Sequence, residues 1–345
     1  MGRRDQLLIE DPAEIFDADY LFLESTYGNR DHKGFEESKQ ELLEAIKYAI
    51  DNREKVLIPA FAVERTQELL YILSEFKRKN EIPDIPVYLD SPLAIKATEI
   101  FRKNKAFYDK ETMAMVERGI DPLNMPNLHF TISTKESMEI NESPGPAIVI
   151  AGNGMCTGGR IRHHLKHNLW KRGVSLVIVG YQAKGTTGRE IVDGAKYVRI
   201  FGEKVAVAAR VFTIGGFSAH AGQKEILDWI THFESRPTIY ITHGEQEVSE
   251  VLKAKIEETF GFQVFVPKLR DKLILKPRAK APEIEAPKER LRDSRAALLN
   301  ILLDMEKEIH RLRKAAESKG PSEEFSEEVL DRFGYLLEEL KEMGL

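Results

Sequence analysis

The stretch Ala147-Ile148-Val149-Ile150-Ala151-Gly152-Asn153-Gly154-Met155-Cys156-Thr157-Gly158-Gly159 runs five apolar residues into a glycine-rich turn. A run that short, apolar throughout and ended by glycine predicts a buried strand feeding a tight turn. Ser175-Leu176-Val177-Ile178-Val179 repeats the pattern downstream, and Val56-Leu57-Ile58-Pro59 and Val87-Tyr88-Leu89-Asp90 repeat it upstream. The segments between them change period. From Phe35 to Ile50, the residues Leu42, Leu43, Ile46 and Ala49 share one helical face, a second helix is expected from Glu64 to Phe76, and a third from about Ala94, after Ser91-Pro92. Strands alternating with helices predict α/β layering on parallel strands. Met113 to Asn127 reads as an irregular excursion, and Tyr197 to Phe212 as hairpin strands. Tyr20 to Leu23, Thr238 to Ile241 and Val264 to Val266 are further strands, with a helix from Val248 to Phe260.

The bulk properties bound the function. The 345 residues are enough for two or three domains, and 42% hydrophobic with 31% charged residues predicts a water-soluble protein with a core. A net charge of −5 does not advertise a nucleic-acid binder, although a sum conceals local basic surface. Cys156 is the only cysteine, which rules out an intrachain disulfide and a cysteine-rich zinc ribbon and fits a reducing cytoplasm. No apolar run approaches ~18 residues, so no membrane span is expected.

After Lys276 the composition shifts. Pro277 to Pro282 and Pro287 predict a stiff charged linker. Beyond it, Leu291, Leu298, Ile301, Leu302, Met305, Ile309 and Leu312 form one helical stripe, and Phe325, Val329, Phe333, Leu336 and Leu340 a second, after the break at Gly320-Pro321. The expectation is a helical hairpin over 283–345 that packs against the body or against a second copy of the chain.

Three short segments can carry chemistry. Leu23-Glu24-Ser25-Thr26-Tyr27-Gly28 places a carboxylate at the tip of a strand, where burial demands a partner. Gly216-Phe217-Ser218-Ala219-His220 and Ile241-Thr242-His243-Gly244-Glu245 each place a histidine at a strand tip or a strand–helix junction, where α/β proteins bind ligands. An imidazole is a suitable partner for the carboxylate, which would fix its tautomer. Each histidine alone is as readily a packing residue, so the three together carry the signal. His163, His164 and His167 fall on an expected helix; His163 and His167 could share a face but have no third metal donor, so the group reads as a solvated or phosphate-contacting face.

At these residues the chain resembles the β-CASP branch of the metallo-β-lactamase superfamily, over Met1 to about Lys276. Segments from Pro59 to Glu68 (Pro-Ala-Phe-Ala-Val-Glu-Arg-Thr-Gln-Glu), Asp90 to Ala94, Gly152 to Gly159, and Gly180 to Arg189 carry the resemblance together with the three above. It is closest to bacterial and archaeal cleavage-endonuclease-like members, and it implies a cytoplasmic RNA-processing ribonuclease. It implies an α/β fold with a partial metallo-β-lactamase αββα half in 1–30 and 190–277, and a β-CASP cap inserted over 31–189. It implies that Glu24 holds His220, that His220 protonates the leaving oxygen of a cleaved RNA phosphodiester, and that His243 is a zinc ligand. It implies that RNA phosphates are held by Arg65, Ser91, Asn153, Gly154, Thr157, Gly158, Gly159, Lys184, Arg189 and Ser218.

No His-x-His-x-Asp-His cluster, the family's principal zinc motif, occurs in the chain. Zinc is therefore expected in the intact enzyme and not on this chain alone, and activity is expected to need a complementing polypeptide. The alternatives are a non-catalytic RNA-binding or scaffold subunit and a small-molecule hydrolase. An intact Glu24 and His220 disfavour the scaffold, and the cap segments disfavour the small molecule. Self-association through the C-terminal helices is a further expectation.

Overall fold

The computed structural model describes residues 1–276; the hairpin expected over 283–345 lies outside the described residues. In chain order the first elements are β1 (Tyr20–Glu24), α1 (Phe35–Asp51), β2 (Val56–Pro59), α2 (Arg65–Arg78), β3 (Val87–Asp90), α3 (Pro92–Lys103) and α4 (Lys110–Glu117). Next come β4 (Leu128–Phe130), α5 (Thr134–Glu142), β5 (Ile148–Ala151), α6 (Ile161–Asn168), β6 (Ser175–Ile178) and α7 (Thr187–Val192). The last are β7 (Tyr197–Ile200), β8 (Glu203–Ala206), β9 (Arg210–Thr213), α8 (Gln223–Ile230), β10 (Thr238–His243), α9 (Gln246–Phe260) and β11 (Val264–Phe265).

The larger sheet has six parallel strands in the order β4-β3-β5-β2-β6-β9. Every residue of β2, β5 and β6 is buried, because helices cover both faces and the strands can be apolar throughout. Alternation along each strand then divides the core in two. Val56, Ile58, Ile148, Ile150 and Val177 pack under α1 and α2 with Leu42, Ile46, Leu69 and Phe76. Leu57, Val149, Leu176 and Ile178 pack on the other face with Ile161 and Leu165 of α6 and with Val198 and Ile200 of β7. Local signals fix the helix starts: Ser91 accepts a hydrogen bond from Ala94 N–H at 3.3 Å with Pro92 in the first turn of α3, and Ser133 and Glu136 form a capping box on α5.

Two segments differ from the sequence expectation. The stretch from Met113 to Asn127 begins inside a helix, α4, which Asp109 caps through Thr112 N–H at 2.6 Å. Within Tyr197 to Phe212 only β7 and β8 form a hairpin; Arg210–Thr213 leaves it and pairs in parallel with β6, Ser175 opposite Arg210. The large sheet thus takes in a strand that the sequence reading grouped with 190–277. Alternating apolar residues give a strand its faces but not its neighbour.

The smaller sheet is parallel, in the order β1-β10-β11. One face buries Leu23, Ile239, Ile241 and Val264 against Ile226, Ile230, Leu252 and Ile256 of α8 and α9. On the other, Phe22 stacks on Tyr240 at 5.2 Å and Tyr240 on Phe265 at 5.5 Å. No helix among the described residues is long and apolar enough to cross a membrane.

Candidate active site

Strand pairing brings the distant motifs together. Strands β1 and β10 run in parallel with Glu24 opposite His243, after an irregularity between Leu23 and Glu24 that turns the carboxylate out of strict alternation. The junction is locked by Ser25, whose N–H donates to His243 C=O at 2.5 Å and whose hydroxyl donates to the same oxygen at 3.0 Å. Gly244 is needed here: its φ of +149° is a region side chains avoid, and a Cβ would lie 2.2 Å from Ser25 Oγ. The segment carrying His220 is pinned separately, by a bridge to Gly2, by Arg3 N–H donating to Ala219 C=O at 2.9 Å, and by a bridge between Tyr27 and Gly222.

His220 Nδ1 stands 3.2 Å from Glu24 Oε1. The Glu24 side chain is only 11% exposed, whereas that of His220 is 42% exposed, so a sheltered carboxylate holds an imidazole that faces solvent. Glu24 Oε2 accepts from Thr26 N–H at 2.8 Å. Burial would push the Glu24 carboxyl up, but His220 and the Thr26 hydrogen bonds outweigh it and hold the carboxyl at about 2. The same Oε1 also lies 3.6 Å from the Met1 N-terminus. The His243 ring stacks beside His220 at 5.9 Å between centroids, and its Nδ1 lies 3.1 Å from the Thr26 hydroxyl.

The two rings line a cleft of about 740 Å³ together with Phe61, Val63, Met155, Tyr181, Lys184 and Glu245. Ser218 lines it too, but is buried, with its hydroxyl accepting from His220 N–H at 3.4 Å. Arg65 reaches the same cleft yet is buried in an ion pair with Glu68, and burial holds its guanidinium down at about 10. Lys184 pairs with Glu245 at 2.9 Å and Arg189 with Asp193 at 2.9 Å, so both cations are engaged. The glycine loop closes on itself: Asn153 Oδ1 accepts from Thr157 N–H at 3.0 Å and from Gly158 N–H at 3.4 Å. Gly159 permits this closure, with φ at +71° and no room for a Cβ, which would lie 2.1 Å from Gly152 O. Ser91 serves as the α3 cap described above.

Two features had no clear sequence signal. His32 lies under His220, its Nε2 2.8 Å from His220 C=O and its Nδ1 3.2 Å from Gly215 C=O. A lone histidine between Asp31 and Lys33 gives no hint of that. The second is a buried charge network beneath the tip of β3. Asp90 is fully buried and accepts from His164 Nε2 at 2.7 Å, Ser137 at 2.6 Å, Thr131 at 2.6 Å and Arg160 at 2.7 Å. His164 is also fully buried, and its Nδ1 faces Asn141 Oδ1 at 3.0 Å. Of the three helix histidines, only His164 therefore leaves the solvated face that the sequence reading gave them. Burial opposes the Asp90 charge, but hydrogen bonds from His164, Ser137 and Thr131 prevail and hold its carboxyl at about 2.

Both carboxylates titrate below their ordinary values of 3.8 for Asp90 and 4.5 for Glu24. Their stabilisation is complete above those values and is lost as pH falls through about 2. One such shift of two pKa units corresponds to about 3 kcal/mol. Urea midpoints are expected to fall steeply between pH 5 and pH 2, and Glu24→Gln is expected to flatten part of that fall. A midpoint that does not move over this range contradicts the assignment.

A catalytic zinc takes about three protein ligands and an open position. Among the described residues no three His, Cys, Asp or Glu side chains gather so as to hold a metal ion. His243 is one donor, and its neighbour His220 is committed to Glu24. The described residues do not fit a zinc centre.

Comparison with known proteins places these elements. A family model described as a Beta-Casp domain matches residues 66–191, and one described as a Zn-dependent metallo-hydrolase RNA specificity domain matches 204–267. The chain is 41% identical over 247 residues to ribonuclease TTHA0252 of Thermus thermophilus, covering 72% of this chain and 56% of that protein. It is 33% identical over 265 residues to transcription termination factor FttA of Thermococcus kodakarensis, covering 74% and 41%, respectively. It is 32% identical over 262 residues to an RNase J-like protein of Methanocaldococcus jannaschii, covering 75% and 60%. The chain thus spans about half the length of these relatives.

Proposed function

The chain belongs to the β-CASP metallo-β-lactamase family of RNA nucleases, and from that premise we propose that its cleft serves the hydrolysis of RNA phosphodiesters, with His220 as proton donor. The observation that carries this reading is the Glu24–His220 pair at 3.2 Å. Glu24 stays ionised at neutral pH and orients the ring through Nδ1, leaving Nε2 for the cleft. When water oxygen bonds to phosphorus and the bond to the leaving oxygen breaks, His220 gives its proton to that oxygen, and a proton of the attacking water passes to solvent. A scaffold subunit has no use for a sheltered carboxylate holding an exposed imidazole, which favours the enzyme reading over the binding one.

Zinc is the cofactor that the family description implies. The described residues offer His243 toward it and no cluster, so we expect further donors from a complementing polypeptide. A polypeptide carrying a His-x-His-x-Asp-His segment is the complement this chemistry requires. The purified chain is expected to bind single-stranded RNA, to retain less than one zinc per chain after dialysis, and to leave a labelled RNA intact. Adding the complement is expected to restore both zinc and cleavage. Failure to bind RNA overturns the substrate reading. Two tightly held zinc ions per chain, or chelator-insensitive cleavage by the chain alone, overturns the need for outside donors.

A further inference from the structure

The β7–β8 hairpin does more than cover the core. Its inner residues Val198, Ile200 and Val205 are buried against α6 and β6. Its outer face presents Tyr197, Arg199 and Lys204, all exposed. Arg199 and Lys204 stand directly opposite each other in the antiparallel register. Like charges so placed repel, and cost stability unless something negative lies across them. Among the described residues neither is paired with a carboxylate. The nearest acid on the hairpin, Glu203, belongs to the alternate face and is held by Lys166 of α6 at 2.6 Å.

Aromatic rings accompany the cations. Lys204 Nζ lies 4.2 Å over the Tyr197 ring, whose side chain is 54% exposed. At the hairpin tip, Phe201 is 43% exposed, with the Arg162 guanidinium 4.2 Å over its ring and the His163 ring tilted beside it at 4.5 Å. Arg162 is in the first turn of α6, and its N–H donates to Gly159 C=O at 3.4 Å. The tip therefore abuts the end of the glycine loop whose Met155 walls the cleft. The cationic, aromatic face thus reaches the glycine loop through Arg162, on a chain whose net charge is −5.

We propose that the outer face of the β7–β8 hairpin is a binding track for single-stranded RNA, receiving the strand where it passes the glycine loop. The inference rests on the RNA reading of the cleft and extends it. Phosphates would lie across Arg199 and Lys204, relieving their repulsion, and bases would stack on Phe201 and Tyr197. That combination of a cationic path and stacking faces is how single strands are held without sequence preference. A folded protein partner would instead need an apolar, close-packed patch, which alternating cations and single rings do not provide.

The test uses the whole chain and fluorescence anisotropy with labelled RNAs of about 5 and about 12 nucleotides, lengths that bracket the usual footprint of a single-strand module. The longer RNA is expected to bind ~10-fold or more tightly than the shorter, from added phosphate and stacking contacts. The double variant Arg199→Glu with Lys204→Glu is expected to lose that gain, and its slope of log affinity against log salt is expected to fall by ~1.4, since each single-strand phosphate contact contributes ~0.7. Phe201→Ala is expected to lose part of the gain and Phe201→Trp to keep it. Binding of the short RNA is expected to be unchanged in all variants, and circular dichroism confirms their fold. If the double variant keeps the length gain, or if the variants weaken the short RNA equally, the track is wrong. If the wild-type chain binds the short RNA with no gain in length, the track fails and the cleft reading stands. If it binds neither RNA, both fail.

Discussion

His220→Ala is expected to slow RNA cleavage by ~10²–10⁴-fold in the complemented enzyme, with RNA affinity little changed. Its proton is needed only when charge develops on the leaving oxygen, so the loss falls on the transition state and not on the bound substrate. Glu24→Gln is expected to lose less. It keeps a polar group 3.2 Å from Nδ1 but removes the charge that orients the ring. Single-turnover cleavage of a labelled RNA, with affinity measured in parallel, separates the two effects. A His220→Ala variant that loses affinity in proportion to rate contradicts the role of proton donor.

Asp90→Ala is expected to destabilise the protein by ~3–5 kcal/mol, because it strands the Arg160 guanidinium and the buried His164 imidazole, which share its carboxylate. Arg160 and His164 both close on Asp90 at 2.7 Å, and His164 has no exposed surface from which to recover solvation. Thr131 and Ser137 lose their acceptor at the same time. Asp90→Asn is expected to cost less, since it retains one acceptor oxygen. Urea unfolding followed by circular dichroism measures both. A cost for Asp90→Ala below ~1 kcal/mol would mean that the network is no stronger than a surface ion pair.

The two residues illustrate different routes from sequence to site. Glu24, His220 and His243 were legible because each sits at the end of a short apolar run or beside a glycine turn, where a polar residue is conspicuous. The Asp90 network was not. Asp90 stood out only as part of the motif Asp90 to Ala94, and His164 only as one of three helix histidines. What joins them is a bond across 74 residues of chain, set by how α6 lies over the tip of β3. The hairpin track was hidden for the same reason. Tyr197, Arg199 and Lys204 look like any alternating strand until the register sets two cations opposite each other.

The sequence by itself determined the elements and the α/β layering. Apolar runs and helical periods are local: the burial of β2, β5 and β6 and the course of α1 follow from residues a few positions apart. It also named the pair Glu24 and His220, through residue type and motif. Only the tertiary structure decided which strand neighbours which, that β9 closes the edge of the large sheet, and that Arg65, Lys184 and Arg189 are engaged in ion pairs. The physical reason is that strand partners and ion pairs depend on surfaces brought together from distant parts of the chain. Periodicity fixes the face a residue occupies, while packing alone fixes what that face meets.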